Sequence, residues 1–292
     1  MSSVLHLAVE GANGSYWPFH SAEAASTGVV LGMKPEKIWE TPRSTRWTQG
    51  AFTEKAEYGG DKVDMMTIVL SVHISMRPGS PWEQVYSEFR RAWDFDEVTT
   101  LVAGSSSGVR RLGVRLVETP EFEPDVDPGY DNYGLMIITC RPEWPFWVED
   151  DVIDVWQSAS GALSGSFWVS NPTNRPMHPK YVVDMAQAGT VTLPDFSWVS
   201  DPKHEDYEHR DRTITTPSLA AGEQLTIDSY PDELTWRSNI NPVFIGRTAG
   251  IEFEFAVPHH TPLTQIPVSA SVPGATVALR QSRHWTTILG GE

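Results

Sequence analysis

The chain has a single cysteine, Cys140, among 292 residues. An internal disulfide and a thiolate zinc cluster are therefore excluded, folding in a reducing compartment is the simplest expectation, and Cys140 reads as a buried strand residue. Basic residues are scarce too: 22 Lys and Arg stand against 38 Asp and Glu, for a formal charge of -16. Such a surface repels phosphate backbones and anionic membranes, which argues against sequence-specific reading of DNA. No apolar run approaches the length of a membrane-spanning helix, and the first ten residues lack the basic region and apolar core of a secretion signal, so neither membrane insertion nor Sec-dependent export is expected. P-loop and dinucleotide fingerprints are missing as well, and no cofactor or metal is expected.

What is present is turn and strand chemistry. Twenty-two Pro, 22 Gly and 12 Trp, with 40% hydrophobic and 21% charged residues, describe a globular, mainly β chain. The length suggests two domains. One stretch, Ser80 to Phe95, has a helical period: Trp82, Val85, Tyr86, Phe89 and Trp93 share a face. Ser80 as N-cap, Pro81 at the first helical position and Glu83 in a capping box predict a helix over about 80–94. Its aromatic stripe should dock on a sheet, while Glu83, Glu88, Arg90 and Arg91 lie off it.

Around this helix the chain reads as strands. Leu5, Leu7 and Val9 alternate ahead of the turn pair Asn13-Gly14, which predicts an opening hairpin. Residues 21–49 read as two short strands and a loop. Met66 to Met76 alternates throughout and is expected to be the central strand. Thr99 to Ala103 and Val109 to Glu118 form a hairpin across Gly104–Gly108, and Thr119 to Asn132, with three prolines and five acids, reads as an exposed loop. The prolines and aromatics of Arg141 to Asp151 suggest a domain boundary, giving domains at 1–145 and 150–274, with residues from about 275 to 292 returning to the first. Strand candidates at 166–169, 181–183, 191–193, 212–216, 224–227 and 251–257 indicate a second-domain sandwich.

Catalytic motifs fail on inspection. Gly104-Ser-Ser-Ser-Gly108 matches the pattern of a nucleophile elbow but sits between two strands, where that elbow needs a following helix. His204 and His209 are five apart, whereas two metal ligands on one helical face need four. His259-His260 lies between prolines, and the acid pairs Glu149/Asp150/Asp151 and Glu121/Glu123 read as surface charge. The chain is expected not to be an enzyme.

Several stretches in order, Gly11-Ala-Asn-Gly-Ser with Trp17, Gly28-Val-Val-Leu-Gly, Trp82 to Trp93, Pro142 to Asp151, Ser170-Asn-Pro-Thr-Asn-Arg-Pro and Leu219 to Asp228, resemble the distal tail protein (Dit) of siphophages, in particular minor tail proteins of actinobacterial siphophages. The resemblance implies an N-terminal β-sandwich belt domain that assembles into a homohexameric ring, followed by a galectin-like β-sandwich. It implies a place in the virion at the distal end of a long non-contractile tail, after synthesis in the host cytoplasm. Partners would be the tail tube protein above and the tail hub below, with the tape measure protein and genome DNA passing through the lumen unread. In a ring, Glu83, Glu88, Arg90 and Arg91 become candidate contacts between protomers. The galectin-like shape leaves open a carbohydrate-binding adhesion module, with Trp168, Trp198 and Trp236 as candidate sugar-stacking aromatics. A polysaccharide hydrolase is the third reading.

Overall fold

The structure, a computed structural model, describes residues 5–291 except 123, 125, 234 and 235. The chain divides into two compact units, one reaching to Glu149 and including Trp285–Gly291, the other Asp150–His284. Among the described residues the first unit contains β1 (His6–Glu10), β2 (Tyr16–Pro18), α1 (Ser21–Thr27), β3 (Val29–Leu31), β4 (Arg43–Thr48), β5 (Glu57–Val63), β6 (Ile68–Ser75), α2 (Trp82–Arg90), β7 (Thr99–Ser105), β8 (Gly108–Leu116), β9 (Glu121–Phe122), α3 (Pro128–Asp131), β10 (Tyr133–Arg141) and β11 (Trp147–Val148). Its main sheet runs β2-β1-β7-β8-β10-β6-β3 and curls nearly into a barrel. The two halves join through the short β8–β10 pairing, Cys140 opposite Leu116 and Arg141 opposite Arg115, and their apolar faces close on one core.

The alternation of Met66 to Met76 has the expected consequence over β6, where Ile68, Leu70, Val72 and Ile74 are fully buried. The strand is not central, however: β10 covers one edge and the short β3 the other, so it lies next to the end of the sheet. α2 packs Trp82, Val85 and Phe89 into this core, and the Trp82 indole N–H donates to the Ile74 carbonyl at 3.1 Å. The helix is shorter than expected. Pro81 is the N-cap, extended at ψ 163°, and no side chain caps the first turn. Ser80 is drawn instead into a tight turn, exchanging backbone hydrogen bonds with Arg77 and accepting from its Nε. At the other end the Asp94 carboxylate accepts from the backbone N–H of Asp96 at 2.8 Å and of Glu97 at 3.2 Å, which turns the chain into β7.

α2 is also not alone. Ser21–Thr27 forms α1, ended by Gly28 at φ 79°, a left-handed position that favours glycine. The proline-rich stretch is not wholly irregular either. Phe122 anchors it through rings of Trp82 and Tyr86 5.4 and 5.1 Å away, β9 pairs with β10, and Asp127 caps the single turn α3. Gly134 leaves room for this cluster, since a Cβ there would lie 2.5 Å from Phe122. The largest omission is β4–β5, a hairpin exposed along most of its length: β4 falls within the stretch read as two short strands and a loop, and β5 has no counterpart in the sequence reading.

The second unit contains β12 (Val152–Gln157), β13 (Ser164–Asn171), β14 (Lys180–Met185), β15 (Val191–Pro194), β16 (Thr213–Thr215), β17 (Gln224–Asp228), β18 (Trp236–Ser238), β19 (Thr261–Ala270) and β20 (Ala275–Gln281). They form two sheets, β12-β20-β14-β17-β18 and β13-β19-β15-β16, whose inner faces share a core around Phe167, Tyr181, Leu225 and Val277. Two expectations need correction. β20 pairs between β12 and β14, so the return to the first unit starts at Trp285 and not near residue 275. Ile251–Val257 forms no strand, with Val257 in an isolated bridge to Met177. The Asp195 carboxylate takes the place of a partner strand, accepting from the N–H of Glu254 and Phe255 at 3.2 and 3.0 Å.

Within the first unit the returning segment is locked by Arg110. This arginine is 2% exposed, its guanidinium stacks 3.7 Å over the Trp285 ring, and Nη1 donates to the Thr287 and Gly290 carbonyls at 2.9 Å. Glu149, 3.5 Å from its Nε, balances the buried charge.

Candidate assembly surfaces

The expected contact residues on α2 divide into two kinds. Glu83 and Arg91 are exposed. Glu88 is engaged within its own chain: Gln84 donates to it at 2.9 Å and Arg77 lies 2.6 Å away. The Gln84 hydrogen bond first, then the Arg77 and Arg91 charges, hold its carboxyl below the ordinary glutamate value. Arg90 turns back to donate to the Trp93 carbonyl at 2.9 Å, and Arg91 Nε reaches the Ser87 carbonyl at 3.2 Å. Glu83 and Arg91 thus keep the freer side chains for an outside contact.

A more prominent surface is the β4–β5 hairpin. Arg43 pairs with Asp61 near its base, and Trp47 meets Tyr58 edge-on at 5.2 Å across its strands. Trp47 is 61% exposed, Tyr58 57%, and Phe52, in the connecting loop, wholly so. Three aromatic rings in water on one arm mark a surface built to be covered. Periodicity could not find it, because neither face of the hairpin enters the core.

In the second unit the three candidate tryptophans have different surroundings. Trp236 is buried at 2%, stacked on Phe244 and tilted against Phe253. Trp198, at φ 60°, is half-buried against Phe196 and the core. Trp168 alone presents a free face, 48% exposed on β13, its N–H held by Asp154 at 2.6 Å.

The charged stretches considered for chemistry have structural partners. His204 accepts the Asp206 N–H and caps a one-turn helix, Glu205–His209. Ser106 and Ser107 form the turn between β7 and β8. Asp151 binds Arg280 and Ser282 at 2.7 Å, while Glu123 lies outside the described residues. Cys140 is buried, and desolvation pushes its thiol up to about 12, leaving it unreactive.

His284 carries a pH dependence. Burial first, then the positive charges of Lys180 and Arg175, lower its pKa to about 4 from an ordinary 6.5, with Asp151 opposing them and His178 adding the least. His178 is lowered in the same direction, mainly by burial. The folded unit refuses a proton that the unfolded chain accepts, so this stability is full above pH 6.5 and declines as pH falls toward 4. The loss should be about 3 kcal/mol. His284→Gln should flatten the slope of unfolding free energy between pH 6.5 and 4; an unchanged slope would refute the assignment.

With this geometry in place, solved structures resolve the fold. The Dit (gp 19.1) protein of phage SPP1 superposes with a TM-score of 0.60, covering 96% of this chain and 99% of that one at 8% identity. The chain has the Dit fold. A chain of the phage P2 baseplate in its activated conformation matches it with a TM-score of 0.53 at 9% identity, over 96% of this chain and 98% of that one. In sequence the chain is 27% identical to the minor tail protein Gp27 of Mycobacterium phage D29, over 97% of this chain and 98% of that protein. It is also 27% identical to Gp27 of Mycobacterium phage L5, over 79% and 82%. No protein-family model matches. The resemblance read from the sequence, a Dit-like chain similar to minor tail proteins of actinobacterial siphophages, therefore holds.

Proposed function

We propose that this chain is a structural virion protein of a long-tailed phage, and that it closes into a homohexameric ring joining the tail tube to the tail-tip hub. A structural role in the tail, and no enzymatic one, is supported by the minor tail proteins it resembles and by the Dit fold. The first unit is the ring-forming belt and the second a galectin-like sandwich. The observation that carries the reading is the exposed β4–β5 hairpin, whose three uncovered aromatics a monomer would leave in water and a ring can bury. Glu83 and Arg91 are secondary contact candidates. Tape measure protein and DNA would cross the lumen, where a net charge of -16 disfavours sticking of the genome. Native mass spectrometry of the full chain tests the ring, with hexamers as the expected species.

A further inference from the structure

Beside the base of the hairpin, the first unit has a hollow of about 420 Å³ with apolar walls of Met65, Leu116, Val117 and Pro142. Arg115 and Arg141 open into it from directly opposed positions on β8 and β10. Two like charges facing each other across a ladder are unfavourable unless an anion lies between them. Arg115 has Glu143 at 3.3 Å from its Nε, but that carboxylate is 79% exposed, and the Arg115 Nη1 is buried without a hydrogen-bond partner. Arg141 donates to the Thr67 hydroxyl at 3.0 Å and approaches the Met65 sulfur at 3.8 Å, with no carboxylate partner among the described residues. Glu143 lines the hollow as well, so two arginines face one exposed carboxylate there and the site keeps a net positive charge in a chain that is otherwise strongly acidic.

The complementary group is on the same molecule. At the hairpin tip Phe52 is wholly exposed, and Glu54, two residues on, is exposed without an ion pair among the described residues. At about 3.3 Å per residue, β5 alone holds the tip roughly 20 Å from its base, so a chain cannot fill its own hollow. We propose that the hairpin tip of one copy docks in this hollow of the next, Phe52 against the apolar wall and the Glu54 carboxylate between Arg115 and Arg141. The contact joins different patches of identical chains, so it propagates head to tail and closes when the rotation permits. This inference rests on the ring reading and specifies its contact.

Charge exchange on the full chain tests it. Glu54→Arg alone, and Arg115→Glu with Arg141→Glu, should each raise the concentration needed for assembly tenfold or more; combining all three substitutions should restore it. Wild-type hexamers that neither change disturbs would overturn this contact and leave the ring standing, whereas a wild type that stays monomeric would overturn both. Because charge reversal at Arg115 can impair folding, a second variant is independent of it. Phe52→Cys with Val117→Cys should give a ladder of covalent multimers on oxidation, to which the buried Cys140 contributes nothing. Hexamers without such a ladder would overturn the contact.

Discussion

Asp195→Ala should destabilise the second unit by about 3–5 kcal/mol, the range for breaking a buried ion pair from one side. The Asp195 side chain is wholly buried, and desolvation pushes its pKa upward. It is held by Arg212 at 2.7 Å and by two backbone N–H groups of the 251–257 segment. Removing the carboxylate orphans two amides at once and leaves the mostly buried guanidinium to the half-exposed Glu254, 2.8 Å from its Nη2. Asn retains an acceptor of the same size, so Asp195→Asn should cost less, about 1–3 kcal/mol. Denaturant unfolding measures the difference. Hydrogen exchange adds a local readout: the amides of Glu254 and Phe255 should lose protection in the alanine variant, and unchanged protection would show that the segment is held by something else.

Phe89→Ala should remove about 3–5 kcal/mol from the first unit. Phe89 is fully buried and meets Trp17 edge-on at 5.3 Å, Phe19 at 6.3 Å and Trp93 at 6.2 Å. It thereby ties α2 to the hairpin that opens the chain. A nine-residue helix does not hold itself together in water, so its order depends on this docking. Phe89→Leu fills most of the volume and should cost about 1–1.5 kcal/mol. Similar losses for both variants would mean that ring packing at this position matters less than the contacts indicate.

Legibility followed burial. Where one face of an element enters the core, its period is written in the residues, as in the stripe of α2, the alternation of β6 and the β7–β8 hairpin. Elements that bury little left no such trace. The β4–β5 hairpin has no periodic apolar face because both faces meet water, and α1 is built of small residues. The N-cap differs for another reason: Ser80 has the right chemistry, but its hydroxyl is taken up in the turn with Arg77. Ile251–Val257 alternates as a strand should, yet its backbone donors meet a carboxylate sixty residues away in sequence, a partner that no local pattern reveals. The same holds for Arg115 and Arg141. Their opposition depends on the pairing of β8 with β10, which periodicity within either strand does not specify. Of the tryptophans chosen as sugar-stacking candidates, composition could not separate Trp168, exposed on an outer face, from Trp236, buried in the core.

Ring closure is read from the oligomeric state of the purified full chain. Native mass spectrometry, with negative-stain images of the same sample, should show closed hexamers with a central opening. Discrete monomers at every concentration would rule the ring out.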